Sequence, residues 1–407
     1  MNVIEDRECV SVEEDQGVGM KEGWPVVPLG ELCDVVGGGT PSKENHSFYL
    51  GDIPWATVRD MRQDLITETE FYITEDAVRN SSTNIISSGN VVIATRVGLG
   101  KVCLLGQDTA INQDLRGIVP RNLENLAVRY LYWWLKSVSS LIVAEGTGAT
   151  VQGVKLPFVK SLPVPLPPLP EQQRIVALLD EAFAGLATAK ANAERNLQNA
   201  RALFESHLQS VFSQRGEGWV EKPLGDVCEL FQGLCINAKT KHLLVETSSL
   251  PLLRIKDSRS NSSEQYIAES GWPKNAKVSV DELIYTRTGQ IGLVFRGRVV
   301  VLHNNCFKVR PKPMLNSDYL FWWLQSPEFR ARITTLASKA AQPDITHSLF
   351  KVQPIDIPPR DYQDNAIAVI DKMCYETQRL THLYERKLAA LEELKKSLLH
   401  QAFNGEL

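Results

Sequence analysis

The chain has no run of about 18 apolar residues, the length that a membrane-crossing helix requires, so none is expected among its 407 residues. Its first stretch, MNVIEDRECVSVEEDQ, has no apolar core, and no signal peptide is expected there. The seven cysteines (Cys9, Cys33, Cys103, Cys228, Cys235, Cys306 and Cys374) are scattered, and none stands in a C-x-x-C pair. That spacing argues against a zinc knuckle or a redox dithiol and for reduced thiols in a cytoplasmic protein. Without G-x-x-x-x-G-K-[ST] there is no phosphate loop, and without H-E-x-x-H no zinc-protease helix. Gly98-Leu-Gly100 lacks the third glycine of a dinucleotide fingerprint. No G-x-S-x-G elbow supports a serine hydrolase. The acidic or Asn-Pro-Pro-aromatic motif with which an amino-methyltransferase would hold its target amine is also missing. Neither a catalytic residue nor a metal ligand is expected.

Net positive charge is lacking as well: the total is −4. The distribution is uneven, however. Residues 1–23 carry 2 basic and 7 acidic side chains and read as an acidic, mobile tail. Residues 219–360 carry 19 basic and 13 acidic side chains, a balance of +6 that fits a polyanionic partner.

What the chain does have is a duplication. WPVVPLGELC (24–33) aligns with WVEKPLGDVC (219–228), IPWATVRD (53–60) with LPLLRIKD (250–257), and TRVG (95–98) with TRTG (286–289). YLYWWLKS (130–137) aligns with YLFWWLQS (319–326), and PVPLPP (163–168) with PIDIPP (354–359). The offset stays between 189 and 197 throughout, which marks two copies of one unit. Within each copy, short β-rich runs alternate with turn signals, followed by an apolar helix and a proline-stiffened strand: an α+β pattern with a mostly β core. The organisation expected is a tail (1–23), a first globular segment (24–170), a helix and linker (171–218), a second globular segment (219–360) and a closing helix (361–407).

Each globular segment leads into a long helix. PLPPLPEQQRI starts the first, predicted over 171–213, with Pro170 just ahead of Glu171. Ile175, Leu179, Leu186, Asn196 and Leu203 fall on a 3.5-residue seam. In the second helix, predicted over about 362–403, the matching seam holds Ile370, Leu380, Lys387, Leu391 and Leu398. About 43 residues at 1.5 Å each make a rod of roughly 65 Å, an upper limit of roughly 19 base-pair steps. Asn196 and Lys387 share one register, where a polar core residue would fix pairing; a local solvent-facing turn is the alternative.

The chemistry on offer is paired polar loops. Thr40, Ser42 and Lys43 follow a glycine run, with Lys239 and Lys241 in the corresponding stretch. Thr57, Arg59, Asp60 and Arg62 match Arg254, Lys256, Asp257 and Arg259. Thr95 and Arg96, with Lys101 beyond, match Thr286, Arg287 and Gln290. Thr147, Thr150, Gln152 and Lys155 lie in a late loop whose counterpart holds Lys339 and Gln342. Arginine reads guanine, glutamine and asparagine read adenine, and lysine, serine and threonine hold phosphates, so the mixture suits DNA. An isolated arginine in a turn is also simply a solvated charge. The Trp133-Trp134 and Trp322-Trp323 pairs offer base-stacking surfaces or, on an apolar helix, core.

The duplication, the PLPPLPEQQRI helix start, the GGGTPS and IPWATVRDM stretches and the closing QAFNGEL resemble the specificity (S) subunits of type I DNA restriction-modification systems. The resemblance covers 24–407. It implies that each globular segment is a target recognition domain reading half of a bipartite double-stranded DNA site. It implies too that the long helices pair as an antiparallel coiled coil, setting the spacing and docking two methyltransferase (M) subunits, with restriction and motor (R) subunits able to join. S-adenosylmethionine, Mg2+ and ATP would then belong only to the partner subunits. Two features depart from the pattern: the acidic tail, and PPRDYQDNAI, which lacks the EQQ of the first helix start. A scaffold binding protein partners without reading DNA is the competing reading.

Overall fold

The computed structural model describes residues 24–147, 153–258, 264–338 and 343–407. They form two compact units: the chain up to Asn192 together with Lys387–Leu407, and Ala193–Arg386. Each unit thus takes part of both long helices, where the sequence had suggested helical segments separate from the globular ones.

The first unit is built on a five-stranded sheet in the order Cys33–Gly37, Leu115–Pro120, Val91–Ala94, Val102–Leu105, Leu65–Ile66. A four-stranded sheet stands beside it: Phe71–Ile73, Ile53–Ala56, Thr109–Ile111, Asn84–Ile86. Val91–Ala94 and Val102–Leu105 are buried on both faces, which is why these runs read as continuous apolar stretches. The second unit repeats the plan. Its main sheet runs Cys228–Gln232, Cys306–Pro311, Leu283–Thr286, Val294–Phe295, and its smaller one Leu252–Leu253, Val300–Leu302, Lys277–Val278. The first pair of each main sheet keeps one register, Cys33 with Pro120 and Cys228 with Pro311, while the next pair is shifted by one residue, Leu115 with Ala94 but Cys306 with Thr286. One parallel pairing recurs too, Ile53–Ala56 with Thr109–Ile111 and Leu252–Leu253 with Val300–Leu302. The proline runs 163–165 and 354–357 pair with the opening strands 26–28 and 220–223 in two-stranded sheets, whose open edges tolerate proline.

The tryptophan pairs are core. Trp133, Trp134, Trp322 and Trp323 are all buried on the helices Val128–Ser137 and Ser317–Trp323. Trp133 Nε1 donates to Asp180 Oδ1 at 2.8 Å and Trp322 Nε1 to Asp371 Oδ1 at 2.7 Å, so each tryptophan ties its domain to the adjoining long helix.

The long helices span Leu169–Ser213 and Arg360–Asn404, 45 residues each. Within each unit they run antiparallel. In the first, Phe403 packs edge-on against Tyr130 at 5.2 Å and Lys190 bonds Glu392 at 2.7 Å. In the second, Phe212 takes the matching place against Tyr319 at 5.3 Å, and Arg201 reaches Glu385 at 3.4 Å. The start of one helix and the end of the other therefore dock on the same domain. Ala193 and Ala200 are buried on the part of the first helix that belongs to the second unit.

Of the expected seam, Ile175, Leu179, Leu186, Ile370, Leu380, Leu391 and Leu398 are buried or half-buried, and Ile175, Leu179 and Ile370 belong to the cores of the adjoining domains. The seam fails at Asn196, Leu203 and Lys387, which are exposed. The inward residues there are Leu197, Phe204 and Leu388. A straight helix drifts about 20° per heptad against a 3.5-residue repeat, so after three heptads the seam steps one residue along. It does so at matched positions of the two helices, 197 and 388, while the alternate positions Ala193, Ala200, Leu391 and Leu398 stay inward.

PPRDYQDNAI also keeps more of the first helix start than its letters suggest. Gln172 and Gln363 are both fully buried. Gln172 accepts from Ala127 N at 2.9 Å and donates to Asn125 O at 2.7 Å and Pro167 O at 2.9 Å. Gln363 accepts from Asn316 N at 2.7 Å and donates to Met314 O at 3.1 Å and Pro358 O at 2.9 Å. The amide is retained, and its neighbours differ.

Candidate nucleic-acid interface

The glycine run opens the site. A β-carbon on Gly38 would lie 2.0 Å from the Asn112 carbonyl oxygen, and one on Gly233 would lie 2.2 Å from that of His303. Only glycine lets the first main-sheet strand end against the loop that follows Thr109–Ile111 or Val300–Leu302. In the first unit this approach closes one side of an open cleft of about 720 Å³. Thr40, Lys43, Thr57 and Arg59 line it, four of the residues selected from the sequence, together with Tyr49, Trp55, Phe71, Val97 and the loop Asn112-Gln113-Asp114. The rings pack edge to face, Tyr49 on Trp55 at 6.1 Å and Trp55 on Phe71 at 6.2 Å. Their polar ends are tied to the glycine loop: Tyr49 Oη donates to Pro41 O at 2.7 Å and Trp55 Nε1 to Gly39 O at 3.2 Å.

Other expected residues of the first unit lie on the surface around this loop system. Ser42, Arg62, Arg96, Lys101, Thr147 and Lys155 are exposed. Arg62 Nε donates to Arg59 O at 3.0 Å, and Arg96 pairs with Asp114 at 3.6 Å. Arg59 is 73% exposed, with only a 3.6 Å pair to Glu70. Asp60 holds its own turn: its carboxylate accepts from Thr57 N at 2.7 Å, Thr57 Oγ1 at 3.0 Å and Glu70 N at 2.8 Å. Thr95 is buried, contrary to expectation.

The second unit lays the same residues out differently. Lys239, Lys241 and Gln290 are exposed, and Lys256 stands in the turn Ile255–Ser258. Arg254 replaces Thr57, and its Nε donates to Asp257 Oδ2 at 3.0 Å while Nη2 donates to Glu264 Oε2 at 3.0 Å. Asp257, 3% exposed, is a structural anion and not a surface group. Arg287 Nε donates to Asp344 Oδ1 at 2.8 Å, its Nη2 donates to Asp344 Oδ2, and Nη1 reaches Gln232 Oε1 at 3.4 Å. The Asp344 carboxylate holds this guanidinium above its ordinary pKa. Burial first, then the Arg254 charge, lower the His303 pKa from its ordinary value. Thr286 is fully buried; its hydroxyl donates to Gln290 O and accepts from Leu293 N at 2.9 Å. Thr95 and Thr286 were expected at the interface because they open glycine-containing turns, and Asp257 because it stands in the polar loop that matches Asp60. In the structure Thr286 closes the turn around Gly289 (φ +70°), the Thr95 hydroxyl donates to Asp114 O at 3.4 Å, and Asp257 accepts from Arg254 N at 3.2 Å in its own turn. Thr150, Gln152, Arg259, Lys339 and Gln342, and the acidic tail, lie outside the described residues.

Sequence reasoning missed the loops Asn112-Gln113-Asp114 and His303-Asn304-Asn305. Their signal was a polar triplet between two short apolar strands, TAINQDLRG and VVLHNNCFK. Asp344 and Gln232 carried none, because their partner, Arg287, is more than 50 residues away.

The described residues hold no grouping of three or more metal-ligating side chains. The site is a set of exposed cations and amides at the ends of a rigid β core, the class of a recognition module. The model of the type I restriction modification DNA specificity domain matches residues 21–195 and again 216–392, and the chain belongs to that family. It is 34% identical over 209 residues to the EcoR124I/EcoR124II specificity subunit of Escherichia coli, covering 49% of this chain and 51% of that one. Identity is 27% over 253 residues to the MjaIX specificity subunit of Methanocaldococcus jannaschii, 57% of each chain. The chain thus spans about half the length of these two curated relatives. The match to the EcoKI specificity subunit of E. coli K12, at 22% identity, covers 95% of this chain and 90% of the relative. Among solved structures, the HsdS subunit from Thermoanaerobacter tengcongensis superposes with a TM-score of 0.61 at 20% identity, over 95% of this chain and 98% of the other. A chain from a type I R-M assembly does so with a TM-score of 0.80 at 20% identity, over 95% and 99%. These curated relatives are specificity subunits of type I restriction enzymes.

Proposed function

We propose that the chain is the DNA-reading subunit of a type I restriction-modification assembly acting in the cytoplasm. Each globular domain reads one half of a split, asymmetric site in double-stranded DNA. The long helices set the spacing between the halves and carry the docking surfaces for two methyltransferase subunits, to which restriction subunits join. Cofactor chemistry (S-adenosylmethionine, Mg2+, ATP) belongs to those partners. One observation carries the reading: two copies of one framework, whose first main-sheet pairs share one register, present different side chains at matched loops. Matched frameworks with diverged tips are what recognition of two different half-sites by one chain requires.

The test is selection of bound duplexes from a randomised library by the assembly of this chain with its methyltransferase partner. A split consensus whose enrichment falls as salt rises is expected. Recovery without any sequence preference would favour the scaffold reading. Adding one heptad to both helices is expected to lengthen the unread spacer, and an unchanged spacer would remove the ruler role.

A further inference from the structure

Resting on that reading, we infer that Gln113 is a specificity-determining residue of the first half-site, presenting an amide N–H2 donor to acceptor atoms on a base edge. Nearly every other uncharged polar group lining the cleft has a partner within the protein. Asn112 is 94% buried; its Nδ2 donates to Asp114 Oδ2 at 3.2 Å and its Oδ1 accepts from Asp114 N at 3.1 Å. Thr57 is bound to Asp60, Tyr49 to Pro41 and Trp55 to Gly39. The Thr40 hydroxyl donates to Gln113 Oε1. That bond orients the glutamine amide and leaves its nitrogen as the donor, with no protein partner among the described residues. The side chain is half-buried, on a loop pinned from beneath by Asn112 and from the side by the glycine run. A base-reading group needs this support, since a mobile one loses its selectivity to entropy. Lys43 and Arg59 on the same cleft are placed to hold phosphates. A fixed N–H2 donor in the major groove complements guanine O6 and N7, adenine N7 or thymine O4, and clashes with the cytosine amino group.

The experiment is the same library selection on the assembly with Gln113→Glu, Gln113→Ala and Thr40→Val chains, each checked for an unchanged unfolding temperature. Gln113→Glu turns the donor into an acceptor and is expected to shift preference at one base pair of one half-site towards a donor-bearing base. Gln113→Ala should relax that position by roughly 10- to 100-fold, and Thr40→Val should relax it less. The other half-site is the internal control and should be unchanged. A wild-type split consensus with an unaltered Gln113→Glu consensus, or with equal loss at every position, overturns the assignment while leaving the DNA-reading function standing. No wild-type consensus at all overturns both.

Discussion

Where the first unit has Gly117, the second has Lys308. Both residues sit at the same register, opposite Val36 in one sheet and Phe231 in the other. In the first unit the Ile86 side chain fills the space above the glycine, 2.4 Å from where a β-carbon would be. In the second, the lysine ammonium takes that space, 3% exposed, donating to Lys277 O at 2.8 Å and pairing with Glu282 at 3.1 Å. Arg310 completes the group at 2.6 Å from Glu282. One framework is therefore closed with an apolar plug in one copy and a buried ion cluster in the other. The same contrast recurs at the loops: Thr57 and a loosely paired Arg59 in the first unit, a doubly clamped Arg254 in the second. The second unit is the more basic, but much of its charge is spent internally, so segment charge is a poor measure of reading capacity here.

The largest effect expected concerns the buried cluster. Glu282→Gln leaves Lys308 buried beside a neutral group and should destabilise the second unit by about 3–5 kcal/mol, while Glu282→Leu with Lys308→Met should recover most of that loss. Chemical unfolding followed by tryptophan fluorescence measures it; a mild Glu282→Gln would break the contrast. The cluster also predicts an acid asymmetry. Burial alone would raise the Glu282 pKa, but hydrogen bonds from Ser279, Arg310 and Lys308 outweigh it and hold the carboxyl at about 2. Because the folded value lies below the ordinary one of 4.5, this stabilisation is complete above about pH 4.5 and is lost as pH falls towards 2. Hydrogen exchange against pH should show the second unit opening first in that window, and Glu282→Gln should abolish the difference.

Next in size is a similarity. Gln172→Leu and Gln363→Leu each remove three hydrogen bonds to backbone groups, one of them buried, so each should cost about 1–3 kcal/mol, and by similar amounts. Unequal losses would mean that the helix starts are less alike than their hydrogen bonds. The smallest effects separate the arginines. Arg254→Ala should lower stability measurably by freeing buried Asp257, whereas Arg59→Ala should leave stability within about 0.5 kcal/mol and weaken DNA binding about uniformly across sequences. An Arg59→Ala chain that unfolds early would reverse that assignment.

The duplication, the helix extents and the burial of the tryptophan pairs were legible in the letters because each rests on local signals repeated at a near-constant offset. Gln113 was not, because a polar triplet between strands acquires meaning only once the cleft around it is formed. Asn196 and Lys387 were misplaced by a different mechanism: a strict heptad count does not know where a helix drifts out of step.

The sequence alone determined that this is a doubled α+β chain on two long helices, without catalytic motifs, in the likeness of a DNA specificity subunit. Propensity, periodicity and repetition are carried by neighbouring residues, and they survive in one dimension. Only the tertiary structure decided which arginine is loosely paired and which is clamped, which carboxylates hold turns, and where the helical seam steps. Each of those depends on a partner brought close by folding, such as Asp344 on Arg287 or Ile86 over Gly117.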